Sequence, residues 1–70
     1  MTQEHLKKKT PKQLLCFLRN YGWKKKAIIE LLMTYEGLKE ESLKRLTYLE
    51  LCNSYREEIA EAVFEEMCNY

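Results

Sequence analysis

The chain has few residues that break helices and few that commonly serve in catalysis. Its 70 residues include one proline, two glycines, one histidine and no aspartate. It contains no glycine-rich loop of the P-loop or dinucleotide-binding type. His5 precedes the first predicted helix, so no nucleophile can be assigned to it as a base. We therefore expect no catalytic residue and no cofactor, and we interpret the chain as a non-enzymatic protein.

Cysteines and long apolar runs are scarce as well. Cys16, Cys52 and Cys68 are odd in number and widely spaced, which indicates neither a disulfide framework nor a zinc site. No run of 18 apolar residues and no secretory signal occurs. We predict a reduced, cytoplasmic protein that binds no metal and contacts no membrane. Cys16 and Cys52 are expected in the core and Cys68 near the surface.

The remaining composition is typical of a small helical domain. The chain is 46% hydrophobic and 33% charged. A domain of this size buries only about 60% of the surface that its unfolded chain exposes, so we also expect self-association. Residues 1–9 contain one large apolar residue besides Met1 and are predicted to form a mobile basic arm. Residues 10–70 are predicted to form a single helical domain.

Helix caps and the spacing of apolar residues divide this domain. Thr10 and Gln13 fit a capping box, with Pro11 at the first helical position. Gly22 and Gly37 can adopt the left-handed conformation that ends a helix. We predict an all-α fold, a small bundle of three to four short helices at about residues 11–21, 23–36, 39–53 and 55–67.

The last two predicted helices are either separate or fused. Ser54 and Glu57 form an S-x-x-E pattern that would begin a new helix. The alternative is one long helix, because no Pro or Gly interrupts residues 39–67. Its two apolar stripes would then face different directions, and a second copy of the chain could cover one of them.

Charge is divided unevenly along the chain. Residues 1–27 carry eight Lys and Arg against one Glu, a net charge of +7, whereas residues 28–70 carry four against ten, a net charge of −6. This asymmetry predicts a basic surface for an anionic partner, or attraction between the two halves within one molecule or between copies. The candidate nucleic-acid-binding residues are lysines of the first part: Lys7, Lys8, Lys9, Lys12, Lys24, Lys25 and Lys26.

Two alignments with a helix-turn-helix are available. With Gly22 in the turn, the lysines at 24–26 lead the recognition helix. With Gly37 in the turn, YGWKKKAIIELL and GLKEESLKRL resemble the two helices of a sigma-factor-type helix-turn-helix over about 26 residues. In that alignment MTYE separates the two blocks, and Glu40 and Glu41 would face the phosphates. The resemblance implies DNA binding and assigns no role to any single residue.

The aromatic residues are more numerous than so small a core can hide, since a buried tyrosine hydroxyl needs a partner. Phe64 lies off the apolar stripe of the last predicted helix and needs a second surface to cover it. Tyrosine and other large side chains commonly anchor protein interfaces. The candidate partner-binding residues are Tyr55, Phe64, Met67 and Tyr70.

These observations favour a small helical regulator or inhibitor that binds a partner protein, either as a monomer or as a homo-oligomer. Composition and size resemble the small accessory proteins of bacterial phages and mobile elements, a resemblance that implies no role for any residue. The alternative hypothesis is a helix-turn-helix-like transcriptional regulator that binds DNA through the lysines at 24–26. The basic half could also meet an acidic protein surface.

Overall fold

The computed structural model describes residues 3–68, apart from the side chain of Gln3. Six helices and no strand occur within this range. They are α1 (Gln3–Lys7), α2 (Pro11–Asn20), α3 (Lys25–Glu36), α4 (Glu40–Lys44), α5 (Tyr48–Ser54) and α6 (Arg56–Cys68). The prediction of a small all-α bundle is confirmed, with more helices than predicted.

Helix α2 begins as its sequence predicts. Oγ1 of Thr10 accepts a hydrogen bond from the backbone N–H of Gln13 at 3.2 Å, and Oε1 of Gln13 accepts one from the N–H of Thr10 at 3.0 Å. These bonds satisfy two donors that a helix start would otherwise leave unpaired. After α2 the chain turns at Gly22, whose φ of +80° favours glycine.

The corner between α2 and α3 is held by Trp23. Its backbone N–H donates to the carbonyl of Leu18 at 2.8 Å, and its own carbonyl accepts from the hydroxyl of Tyr48 at 2.7 Å. The indole is partly buried against the core. Helix α3 then ends at Gly37, which has a φ of +66° as its predicted role requires.

The predicted helix at 39–53 is two helices, α4 and α5. The break falls at Thr47, whose Oγ1 accepts from the N–H of Glu50 at 3.1 Å while Oε1 of Glu50 accepts from the N–H of Thr47 at 2.8 Å. This is a second capping box, and its T-x-x-E pattern is visible in the sequence. We did not predict this break.

A break between α5 and α6 is confirmed, but its predicted cap was wrong. Ser54 is the last residue of α5, and Tyr55 separates it from the first residue of α6. The carbonyl of Tyr55 accepts from the N–H of Ile59 at 2.8 Å, so Tyr55 stands immediately before the first turn of α6. Glu57 lies in that turn, as predicted.

We predict a mobile basic arm at residues 1–9, and the structure of residues 3–9 differs from that prediction. Residues 3–7 are helix α1, which packs against α6. Leu6 is only 1% exposed and belongs to the core. Burial of this leucine, together with an ion pair between Lys7 and Glu61 at 3.1 Å, accounts for the docking. Residues 1 and 2 lie outside the described range.

Helix α2 packs mainly against α5, and α3 packs against α6 and α4. The core includes Cys52 as predicted, whereas Cys16 is exposed because α2 buries a different side. Cys68 is exposed, as expected. No helix in the described part of the chain combines the length and apolarity needed to cross a membrane. The buried apolar residues are Leu6, Leu14, Phe17, Leu18, Ile28, Ile29, Leu31, Leu32, Leu43, Leu51, Cys52, Ile59, Ala60, Ala62 and Val63.

Candidate functional site

A shallow, open groove between α1 and α2 collects basic side chains from both sides of the turn that joins them. Lys8 and Lys12 are exposed, and Lys9 is half-buried. We call this feature the α1–α2 groove. The residues that line it are His5, Lys8, Lys9, Lys12, Gln13, Cys16, Phe17 and Asn20.

An aromatic pair lies in and beside this groove. Nζ of Lys9 lies 5.5 Å from the ring centroid of Phe17, within the range of a cation–π contact. Tyr21 immediately follows α2. Its ring lies 4.6 Å from that of Phe17, centroid to centroid, at an interplanar angle of 38°. Tyr21 is nevertheless 58% exposed. Phe17 therefore holds the tyrosine in place while much of its ring remains accessible.

The seven lysines predicted as one nucleic-acid-binding set are divided among three places. Lys8, Lys9 and Lys12 come together in the α1–α2 groove. Lys7 points to α6, where it pairs with Glu61. The lysines at 24–26 lie at the start of α3, where Lys24 and Lys25 line a different depression with Arg19, Trp23 and Tyr48.

The helix packing agrees with only one of the two helix-turn-helix alignments, because α3 and α4, on either side of Gly37, pack against each other. A helix-turn-helix requires the helices on both sides of its turn to pack together so that the second is presented to DNA. Helices α2 and α3, on either side of Gly22, pack mainly against other helices. Helix α4, the second helix of the sigma-like alignment, has five residues and begins with Glu40 and Glu41.

The surface formed by α3 and α6 is acidic. Five glutamates and one arginine lie on α6, a net charge of −4. At the end of α3 the hydroxyl of Tyr35 donates to Oε2 of Glu66 at 2.7 Å. Tyr35 is 36% exposed and Met67, next to Glu66, is 38% exposed. We call the region of Tyr35, Glu36, Glu61, Glu66 and Met67 the α3–α6 surface.

Two carboxyl groups of this surface interact directly. Desolvation raises the pKa of Glu36 above its usual 4.5, and a hydrogen bond to Glu61 and the charges of Glu61 and Glu58 raise it further. The pKa of Glu61 is lowered, chiefly by the hydrogen bond from Lys7 and then by the one from Glu36. Glu36 is therefore the member of the pair that retains a proton to higher pH.

The candidate partner-binding residues do not form one patch. Phe64 is half-buried and lines a narrow groove with Leu6, Met67 and Cys68, so α1 of the same chain covers part of it. Tyr55 packs against the core at the α5–α6 joint, about 18 Å along the helix from Met67. Met67 is exposed, and Tyr70 lies outside the described residues.

Several residues of these surfaces were not singled out from the sequence. Gln13 and Asn20 line the groove, and Tyr21 follows α2 and contacts Phe17. Glu36 meets Glu61 only because α3 packs on α6. Among residues 3–68, no three His, Cys or Glu residues lie close enough to hold a metal ion. Burial raises the pKa of the Cys52 thiol to about 11, which suits its position in the core.

Comparisons with known proteins provide no relative whose role could be considered for this chain. No protein-family model, curated protein or solved structure matches it. The features that bear on function are therefore the two charged surfaces, the basic α1–α2 groove and the acidic α3–α6 surface.

Proposed function

We propose that the chain is a non-enzymatic helical regulator or inhibitor that binds a partner protein through the α3–α6 surface. The observation that carries this proposal is the exposure of Tyr35, whose hydroxyl bonds to Glu66 of α6, together with the exposure of Met67, the next residue of that helix. Tyrosine and methionine are enriched in the centres of protein interfaces, where acidic residues are depleted and lie instead toward the rim.

The charge of this surface defines the kind of partner. Helix α6 carries a net charge of −4, and Glu36 at the end of α3 adds another carboxyl group. A partner with Lys and Arg around an apolar centre would be attracted by this field and oriented by it. The association rate should therefore fall as salt is added, whereas the dissociation rate should depend more on the apolar contacts.

A second copy of the chain is one such partner. Its basic N-terminal part, with a net charge of +7 over residues 1–27, complements the acidic surface. A standard interface buries about 800 Å² on each partner, roughly a sixth of the 4833 Å² accessible surface of the chain. One interface therefore leaves most of the surface available for other contacts.

Two exposed methionines allow a matched test. Met67 is 38% exposed on the proposed surface, and Met33 is 37% exposed on α3, about half a helical turn around from Tyr35. The wild type, Met67→Glu and Met33→Glu would be immobilised, and a recovered partner purified and titrated against each by calorimetry. We expect at least a tenfold loss of affinity for Met67→Glu because it places a charge at an interface centre, and less than a twofold change for Met33→Glu.

Sedimentation velocity of the same three proteins without partner tests the homo-oligomeric form. A concentration-dependent oligomer that is lost only in Met67→Glu would identify the second copy as the partner. The proposal fails if neither a recovered protein nor self-association distinguishes Met67→Glu from Met33→Glu.

A further inference from the structure

We infer that the α1–α2 groove binds single-stranded nucleic acid, at a site separate from the α3–α6 surface. The groove joins three lysines to amide side chains and to Phe17, whose ring also contacts Tyr21 just outside the groove. It lies on helices that do not form the Tyr35–Glu66 contact. Grooves that bind single strands combine cations along the backbone path with rings on which bases stack.

The phosphates would be bound by the lysines. Lys8 and Lys12 are exposed, so their ammonium groups can reach an incoming phosphate without first breaking a buried contact. Lys9 is half-buried, and its position over the Phe17 ring keeps its charge beside the groove. Three such contacts predict that log K falls with log salt with a slope of about −2 for a single strand.

The base-stacking surface would be Tyr21. Its ring is supported by Phe17 on one side and is 58% exposed. Lys12 and Tyr21 are nine residues apart on α2 and the turn that follows it, about 14 Å along the helix axis and half a turn apart around it, so a strand bound by both would cross the helix obliquely. The axial distance alone corresponds to about four nucleotides at the 3.4 Å spacing of stacked bases. Asn20, between the two ends, supplies an amide of the type that hydrogen-bonds base edges.

A single strand fits this arrangement better than a duplex. Sequence reading of a duplex uses a protruding element that enters a major groove about 12 Å wide. Lys8, Lys9 and Lys12 instead line a depression between two helices. An acidic peptide would satisfy the lysines but would leave the exposed Tyr21 ring without a stacking partner.

Fluorescence anisotropy with labelled random 12-nucleotide DNA and RNA strands tests the inference. We expect saturable binding at 25 mM NaCl and affinity about 40-fold weaker at 150 mM, from the slope of about −2. Lys8→Gln/Lys12→Gln should reduce the slope to about −0.7, because one lysine contact remains. Tyr21→Ala should weaken binding about tenfold with the slope unchanged, and Tyr21→Phe should retain it.

The matched control is Lys24→Gln/Lys26→Gln, which removes the same charge from exposed positions outside the groove. It should change affinity less than twofold. Equal losses in the two lysine variants would overturn the inference in favour of diffuse charge attraction. Tighter binding of a 12-base-pair duplex, competition by polyglutamate at equal charge, or no binding at 25 mM NaCl would also overturn it.

The Met67→Glu protein serves as a further control in this assay. Unchanged strand binding by this variant would show that the groove binds independently of the α3–α6 surface. Each of the two proposals could then be contradicted by its own experiment without affecting the other. Loss of strand binding in Met67→Glu would contradict the separation of the two sites.

Discussion

The α1–α2 groove and the α3–α6 surface have opposite charge and are built differently. In the groove, Lys8 and Lys12 project into solvent and Lys9 rests over an aromatic ring. On the α3–α6 surface, Glu36 and Glu61 contact each other and Tyr35 bonds to Glu66. The lysines of the groove can therefore contact a ligand, whereas some carboxylates of the acidic surface already form hydrogen bonds within the chain.

Helix α1 connects the two regions. Lys8 and Lys9 follow it into the groove, while Lys7 pairs with Glu61 of α6 at 3.1 Å. At this contact, a lysine of the basic half of the sequence pairs with a glutamate of the acidic half within one molecule. An ion pair of this exposure contributes at most about 1 kcal/mol, so the buried Leu6 is the larger reason that α1 is held.

The largest effect is expected from Leu6→Ala, which tests whether both regions depend on α1. Leu6 is 1% exposed, and its truncation leaves a cavity under a helix of only five residues. We expect a loss of about 2–4 kcal/mol in the free energy of unfolding, measured by urea denaturation. Amides of residues 3–9 should also exchange hydrogen faster than those of α2.

Leu49→Ala is the control for this experiment, since Leu49 is exposed. It should cost less than about 0.5 kcal/mol. Equal effects of the two substitutions would show that α1 is not docked through Leu6.

The second prediction compares the two capping boxes that support the groove. Thr10 begins α2, and Thr47 begins α5, which packs against α2. Thr10→Ala and Thr47→Ala should each lower the free energy of unfolding by about 1 kcal/mol, because each leaves a helix donor unpaired. Thr→Ser at either position retains the acceptor and should recover most of the loss in thermal or urea unfolding. A Ser variant as unstable as its Ala counterpart would contradict the capping role.

The smallest effect concerns the carboxyl pair of the acidic surface. The pKa of Glu36 is raised in the folded chain, so its contribution to stability is complete below pH 4.5 and is lost as pH rises through the folded value. The pKa of Glu61 is lowered, so its contribution is present above pH 4.5 and is lost as pH falls through its folded value.

Glu36→Gln keeps a donor for Glu61 and removes the first of these two transitions. The free energy of unfolding of the variant minus that of the wild type should become more positive as pH rises above 4.5, by about 0.5 kcal/mol or less. Urea unfolding at pH 4, 5, 6 and 7 measures it, with Glu41→Gln on α4 as an exposed control. A difference independent of pH would show that Glu36 titrates normally.

Several features of the fold could be predicted from short patterns. The box of Thr10 and Gln13, the stops at Gly22 and Gly37 and the break before α6 are local, because each depends on hydrogen bonds or backbone angles within a few residues. The second box at Thr47 is equally local, but leucines at steps of three continue across it, so the apolar spacing alone marks no break there.

The sites were less predictable, because they depend on contacts between distant residues. Seven lysines in one basic half gave no sign that Lys7 would turn to α6 or that Lys9 would lie over Phe17. Phe64 lies off its stripe, as the helical spacing indicates, but α1 of the same chain covers part of it.

The sequence by itself determined that this chain is helical, where most of its helices begin and end, and that its charge is split between its two halves. Those properties arise from neighbouring residues and from composition. Only the tertiary structure decided which charges are exposed together, because the docking of α1 on α6 and of α2 on α5 brings residues from separate helices to common surfaces. Burial of apolar residues from separate helices, Leu6 of α1 among them, fixes that arrangement, rather than any local pattern.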